Sequence, residues 1–401
     1  MDGNSINMSY LKELFVKDYG ESHHEIRIFT APGRVNLIGE HIDYCGGSVF
    51  PAALTLSCAA AVRLNDSDFI HLRADDLADV YTIDLKNTQA GKSLKWGNYQ
   101  AGVIHGLLED GYRVRGMDFL FTGNIPFGSG LSSSAAIELT TAVAAASLAE
   151  NAAEKGIDLI RMALIGQKAE HTFCGVNCGI MDQFASAMGK KDHAILLDCA
   201  SLQYQYVPLN LGDYTLILAN TRQKHALGAS AYNRRREEVA EGLRRINQVL
   251  GENRANLCDF DEADYLRAEA SLGSDQIRNR IRHVIFENGR VKKAVSTLEN
   301  GDLLSFGKIL CEAHESIRDL YEVTGPALDA MFEIATRTEG CIGARMTGAG
   351  FGGCTVNIVR KDCADAFLHT VGSAYTAKTG ITPEFYVCTA GDGARELVSK
   401  K

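Results

Sequence analysis

"GNIPFGSGLSSSAAIE", residues 123–138, sets three glycines within eight residues, then three consecutive serines, then an alanine-rich segment. A Gly/Ser cluster weakens both helix and strand: glycine loses the most conformational freedom on ordering, and serine competes for backbone hydrogen bonds. Yet this cluster leads directly into "AAIELTTAVAAASLAENAAEKG" (135–156), which reads as one long helix. The combination has a physical use. Glycines let the backbone approach a ligand closely, the first turn of a helix leaves N–H groups unpaired, and the helix dipole favours an anion there. Residues 128–134 therefore predict a phosphate cradle, whose serine hydroxyls can add hydrogen bonds or reach a metal. Taken alone, the stretch reads equally well as a tight turn.

The familiar phosphate motifs do not account for it. A Walker A loop needs GxxxxGK[ST], and the single "GKS" (Gly91-Lys92-Ser93) has Lys86 where the earlier glycine belongs. "GNIPFG" does not supply the GxGxxG dinucleotide fingerprint, and no alternating βα pattern follows it. The HRD and DFG signatures of protein kinases are also missing. Two further glycine-rich stretches stand far away in the chain: "APGRVNLIGEHIDYCGG" (31–47) and "MTGAGFGG" (346–353).

Composition narrows the class. The chain has 401 residues, 46% hydrophobic and 23% charged, enough for two or three globular domains with a sizeable core. Its net charge of −9 opposes non-specific attraction to nucleic acid or to an anionic membrane. The 11 cysteines are odd in number and form no CxxC pair, so they read as reduced thiols. The opening "MDGNSINMSYLKELF" is polar and mixed, unlike a signal peptide. No apolar run approaches the roughly 18 residues of a membrane span. The expected location is the cytoplasm, with no nucleic-acid or membrane partner, and the sequence carries no signal for an oligomeric state.

Along the chain, "SYLKELFVKDYG" (9–20) reads as an amphipathic helix, and "EIRIFTAPGRVNLIG" as a strand running into a Gly/Pro loop. "FIHLRA" and "VYTIDL" alternate as short strands, and "GMDFLFTGNIP" is a strand entering the opening loop. "DLIRMALIGQKAEHTF" reads as a helix with Asp158 as N-cap. The "RRREE" of "ASAYNRRREEVAEGLRRINQVL" reads as a solvated helix face. Residues 260–340 read as mostly helical, and "IGARMTGAGFGGCTVNIVR" as a second glycine-rich loop followed by a strand. Mixed strands and helices without regular βαβ alternation predict an α+β fold. A boundary is expected at "VPLNLGD", giving an N-terminal α+β domain (1–208) and a C-terminal α+β domain (209–401).

The three glycine-rich stretches together, in this order, resemble the three motifs of the GHMP small-molecule kinases. Within that superfamily, "GRVNLIGEHIDYCGG" resembles the galactokinase signature GRVNLIGEHTDYNGG, and "NCGIMDQFASAMGKKDHAILLDC" (177–199) resembles the stretch around the galactokinase catalytic aspartate. Ile42 stands where the family has Thr, and Cys45 where it has Asn. The resemblance implies a two-domain α+β fold with the active site in the interdomain cleft. It also implies ATP-dependent phosphorylation of the anomeric hydroxyl of galactose, with Mg²⁺ as cofactor and ATP and galactose as the small-molecule partners.

The resemblance assigns residues as well. Asp182 resembles the catalytic base, and Arg34 the cation that stabilises the transferred phosphoryl group. Gly128, Ser129, Gly130, Leu131, Ser132, Ser133 and Ser134 would cradle the phosphates. Ser134 and Glu170 would ligate Mg²⁺, a hard cation that takes oxygen donors. Glu40, His41, Ile42, Asp43, Gly179 and Tyr232 would surround the sugar, where charged acceptors bind hydroxyl pairs strongly. Trp96 and Tyr99 resemble an aromatic pair placed around adenine, and "MTGAGFGG" would fold back to exclude water. Ile42 and Cys45 keep open a kinase of a related sugar: N-acetylgalactosamine, galacturonic acid or L-arabinose. A non-catalytic galactose sensor would be expected to lack the serine loop or the base, and both are present.

Overall fold

The computed structural model describes residues 6–126, 128–223 and 228–398, and the side chains of 228–230 lie outside that description together with Phe127 of the glycine-serine loop. Among the described residues the strands form three sheets. The largest is ordered Arg395–Leu397, Arg27–Asn36, Pro51–Leu64, Met117–Gly123, Phe69–Ala74, Leu77–Asp84. A four-stranded antiparallel sheet is ordered Cys341–Thr347, Cys354–Arg360, Tyr214–Asn220, Glu384–Cys388. The strands Ser48–Val49, His193–Asp198 and Tyr204–Pro208 make the third. This is the α+β arrangement expected, and the last strand, Arg395–Leu397, pairs back onto Arg27–Asn36 in the first sheet.

The strand Arg27–Asn36 does not stop at its Pro-Gly pair, as the sequence suggested. It continues to Asn36, and its pairing with Pro51–Leu64 shifts register between Pro32 and Arg34. Pro32 has no N–H to give, so the ladder breaks there into a bulge, a device that re-aims side chains. The N–H of Arg34 instead donates to the Leu131 carbonyl, 3.1 Å away, in the serine loop. A Cβ on Gly33 would press against that same carbonyl. A proline and a glycine thus bring the first motif against the second.

The helix after the serine loop is shorter than its composition suggests. It runs Ser133–Ser147, and only a single separate turn, Ala152–Lys155, follows. Tertiary hydrogen bonds override the alanine propensity: the Asn151 side chain accepts from Arg113 N at 2.8 Å and donates to Gly111 O at 3.0 Å, and Glu150 N donates to Arg113 O at 2.9 Å. Asp158 caps the helix Leu159–Ala169, its carboxylate accepting from Ile160 N and Arg161 N. The helix Gly228–Leu250 corrects the solvated reading of "RRREE". Arg234 and Glu237 face solvent, but Arg235 is buried, bonded to Glu238 and to the carbonyls of Tyr321 and Glu322.

In the second half of the chain, helix Leu303–Ser316 crosses strand Cys341–Thr347 where two glycines face each other. A Cβ on Gly307 would run into the backbone of Ile342, and one on Gly343 would run into Gly307 itself. Backbone-to-backbone contact at this crossing sets the strand that carries the third motif. Overpacking of this kind costs about 1–3 kcal/mol. Gly307→Ala is therefore expected to lower the unfolding free energy by that amount, read by circular dichroism as a lower denaturant midpoint with the transition slope unchanged.

Candidate active site

One cavity of about 290 Å³ gathers the motifs. Arg34 comes from the bulged strand, Glu40, His41 and Asp43 from the turn after it, and Gly128, Gly130, Ser132, Ser133 and Ser134 from the serine loop. Glu170 approaches from the turn ending helix Leu159–Ala169, Gly179 from the loop after it, Asp182 from helix Met181–Met188, Tyr232 from helix Gly228–Leu250, and Gly348 and Ala349 from the third glycine-rich loop. The third loop rests on the second: a Cβ on Gly348 or Gly353 would contact the carbonyls of Gly130 and Ser129.

At the centre, the Arg34 guanidinium grips the Asp182 carboxylate at two points. Nε lies 2.8 Å from Oδ1 and Nη2 lies 2.9 Å from Oδ2. The Arg34 side chain is almost fully buried and its Nη1 donates to Gly130 O at 2.7 Å. Ser132 Oγ donates to Asp182 Oδ2 at 2.5 Å. Ser132 is the N-cap residue of Ser133–Ser147 and sits in the left-handed region at φ 61°. Its hydroxyl goes to Asp182, so no side chain caps the helix. The free N–H groups of the first turn and the positive end of the dipole are left beside the cavity.

The hydroxyl of Ser134 hydrogen-bonds to Glu170. Glu138, wholly buried in the same helix, lies against Glu170, and the amide of Gln183 donates to both, at 3.0 and 3.3 Å. Burial, and then the charge of Glu170, push the Glu138 carboxyl well above its ordinary range. Burial also raises Glu170, with the Ser134 hydrogen bond opposing it. The oxygen donors of Ser134 and Glu170 beside the cavity suit a hard divalent cation.

At the other end, Asp43 packs on Gly179, where any Cβ would collide with the carboxylate. Enclosure, then the negative charge of Asp182, raise the Asp43 carboxyl to about 7, opposed by the Tyr44 N–H and by Arg236 and Arg34. Glu40 is buried and fully engaged: it accepts from Gly348 N at 3.0 Å and Asn36 Nδ2 at 2.8 Å, and pairs with Arg345. His41 sits at φ 62°, with Nε2 3.1 Å from Ala349 O and Nδ1 2.7 Å from Tyr44 Oη. Burial lowers its basicity to about 4, so the ring is neutral. Nε2–H donates to the carbonyl and Nδ1 accepts from the tyrosine. Both residues thus tie the first glycine-rich stretch to the third loop.

Other expected residues stand back from the cavity. Ile42 is buried under Gly47, and Ser129 Oγ donates to Pro126 O at 2.7 Å within its own loop. Leu131 is buried and offers its carbonyl to Arg34. Trp96 packs edge-on to Tyr81 and Phe121, at 5.4 and 6.2 Å, and Tyr99 lies near Glu170. Sequence reasoning missed Tyr44, Glu138, Gln183, Arg236 and Arg345. The signal was present for Glu138, a lone carboxylate in an alanine-rich helix, and for Arg345, one residue before the third motif. Among the described residues no helix is long and apolar enough to cross a membrane.

Three descriptors of known families match the chain. The GHMP kinases N-terminal domain covers residues 98–190 and the GHMP kinases C-terminal domain covers 294–377. The fold is shared with mevalonate kinase of Methanococcus jannaschii, at a TM-score of 0.63 and 18% identity over 92% of this chain and all of that one. The chain is a GHMP kinase. Residues 13–64 match the galactokinase galactose-binding signature. Galactokinases of Clostridium tetani and Bacillus subtilis are 45% and 43% identical, covering 98% and 96% of this chain and 99% and 98% of theirs. The crystal structure of Lactococcus lactis galactokinase complexed with galactose superimposes at a TM-score of 0.92, with 37% identity over 97% of this chain and all of that one. The chain belongs to the galactokinase family.

The Asp43 environment gives a pH test. A carboxylate accepts two hydroxyls, whereas its protonated form accepts less and must donate. Galactose affinity, measured by calorimetry, is expected to strengthen as pH rises through about 7, where Asp43 ionises. A flat profile between pH 6 and 8 would remove Asp43 from sugar recognition.

Proposed function

We infer that this chain carries out the galactokinase reaction: transfer of the γ-phosphoryl group of ATP to the anomeric hydroxyl of α-D-galactose, giving α-D-galactose 1-phosphate and ADP. The observation that carries the reading is the convergence of Arg34, Ser132 and Asp182 beside an uncapped helix start. Phosphoryl transfer asks the protein chiefly for positioning and charge stabilisation. Each has a candidate here.

Asp182 takes or orients the proton of the sugar's O1–H, and O1 then attacks the γ-phosphorus as ADP leaves. Arg34, always charged, faces the same point and offsets charge on the transferred group. Gly128 to Ser134 cradle the phosphates through backbone N–H groups. Ser134 and Glu170 would hold Mg²⁺, which neutralises phosphate charge when bound. Asp43, the Gly179 backbone and Tyr232 read sugar hydroxyls, while Glu40 and His41 shape that end from behind. Trp96 and Tyr99, which stand back from the cavity, would take the adenine side only indirectly. The same reading divides the chain near residue 208, with Asp182 on one side and the third glycine-rich loop on the other.

Ile42 and Cys45 are both buried. Neither is among the residues lining the cavity, which favours galactose over its derivatives as the substrate. ADP release over a panel of sugars is expected to give the highest kcat/KM with galactose. A clear preference for N-acetylgalactosamine, galacturonic acid or L-arabinose would overturn the assignment. Asp182→Ala is expected to lower kcat by at least about 10²-fold, within the range that general-base catalysis supplies, while ADP still binds. Glu170→Gln is expected to raise the Mg²⁺ concentration for half-maximal turnover by about tenfold or more, and to weaken calorimetric Mg²⁺–ADP binding in parallel.

A further inference from the structure

Arg236 lies in the "RRREE" run that reads as solvated, yet it reaches the backbone beside the cleft. Its Nη1 donates to the carbonyl of Asn177 and, at 3.4 Å, to that of Cys178. The guanidinium carbon stands 5.1 Å from the centroid of the Tyr44 ring. These contacts join helix Gly228–Leu250 to two segments of the sugar end: the 177–179 loop, and the turn that carries Asp43 and Tyr44. Gly179 follows the gripped carbonyls directly and packs on the Asp43 carboxylate.

We propose that Arg236 is a positioning residue of the sugar end, clamping the 177–178 backbone so that Gly179 stays seated on Asp43. This rests on the galactose reading of the cleft. An arginine suits the task because one nitrogen donates to the carbonyls while its flat guanidinium lies over an aromatic ring.

The charges around Asp43 make the role specific. Asp182, from helix Met181–Met188, is the opposing negative charge, and Arg34 and Arg236 are the positive ones. Tyr232 and the thiols of Cys45, Cys178 and Cys199 complete the titratable groups facing it among the described residues. Arg34 is already committed to Asp182 by two hydrogen bonds. Arg236, held by the 177–178 carbonyls and over the Tyr44 ring, is the second cation favouring the ionised form of Asp43. Without it, burial and Asp182 act with less opposition, and Asp43 ionises only at higher pH.

The test compares unmodified protein, Arg236→Gln and Arg236→Lys. Calorimetric ADP binding within about twofold of the unmodified protein shows that each variant is folded. Arg236→Gln is expected to raise KM for galactose about tenfold at pH 7, equivalent to one lost charge-assisted contact. KM for ATP and kcat should change by less than about threefold, because Arg236 does not touch the phosphate loop. The pH limb of kcat/KM for galactose should move upward by about one unit. Arg236→Lys, which keeps the charge, should return the limb to its original position while KM stays raised. A galactose KM within twofold of the unmodified value, or a raised KM with an unmoved limb in Arg236→Gln, overturns the proposal and leaves the galactose reading standing. Failure of the unmodified protein to phosphorylate galactose sinks both.

Discussion

The site depends on the two-point pairing of Arg34 with Asp182. A largely buried ion pair is a poor source of stability, because taking the charges out of water costs much of what their attraction returns, and Asp182 keeps part of its side chain exposed. Its value here is geometric. Arg34 is aimed by the bulge at Pro32–Gly33, its backbone is pinned to Leu131, and its third nitrogen reaches Gly130. Asp182 is fixed in turn by Ser132. Three chain segments thereby meet around one carboxylate, and none can shift without breaking a hydrogen bond to a charged group. That rigidity suits phosphoryl transfer, where small misplacement is costly.

The second half of the chain closes the site through a different kind of contact. Glu40 and His41 belong to the sugar motif, but their polar atoms bond to Gly348 and Ala349 of the third loop. Arg345, wholly buried, neutralises Glu40, and Glu287 stands 3.8 Å from its other nitrogen. The sugar end and the third loop are thus parts of one hydrogen-bonded unit.

Much of this was legible in the sequence, and the reason differs by feature. The serine loop and its helix could be read because glycine spacing, hydroxyls and a helix start imply an anion without any tertiary information. Asp158 as a cap and the mixed α+β character followed from equally local rules. The early end of the alanine-rich helix could not be read, because it is imposed by Asn151 bonding to residues 111 and 113, about forty positions away. Arg235 and Arg236 were hidden for a similar reason: a charged run looks solvated until its partners, the carbonyls at 321–322 and 177–178, are brought to it. Glu40 and His41 were placed at the cavity by the motif. Their internal hydrogen bonds depend on the third loop, over 300 residues later.

The central claim is that this cleft moves phosphorus onto O1 of galactose. Phosphorus NMR of a reaction containing the protein, ATP, Mg²⁺ and galactose tests it most directly. The account predicts a single new sugar phosphate whose phosphorus couples to the anomeric proton of α-galactose, formed in step with ADP. Phosphate attached at another hydroxyl, or free phosphate released with unmodified galactose, would contradict it.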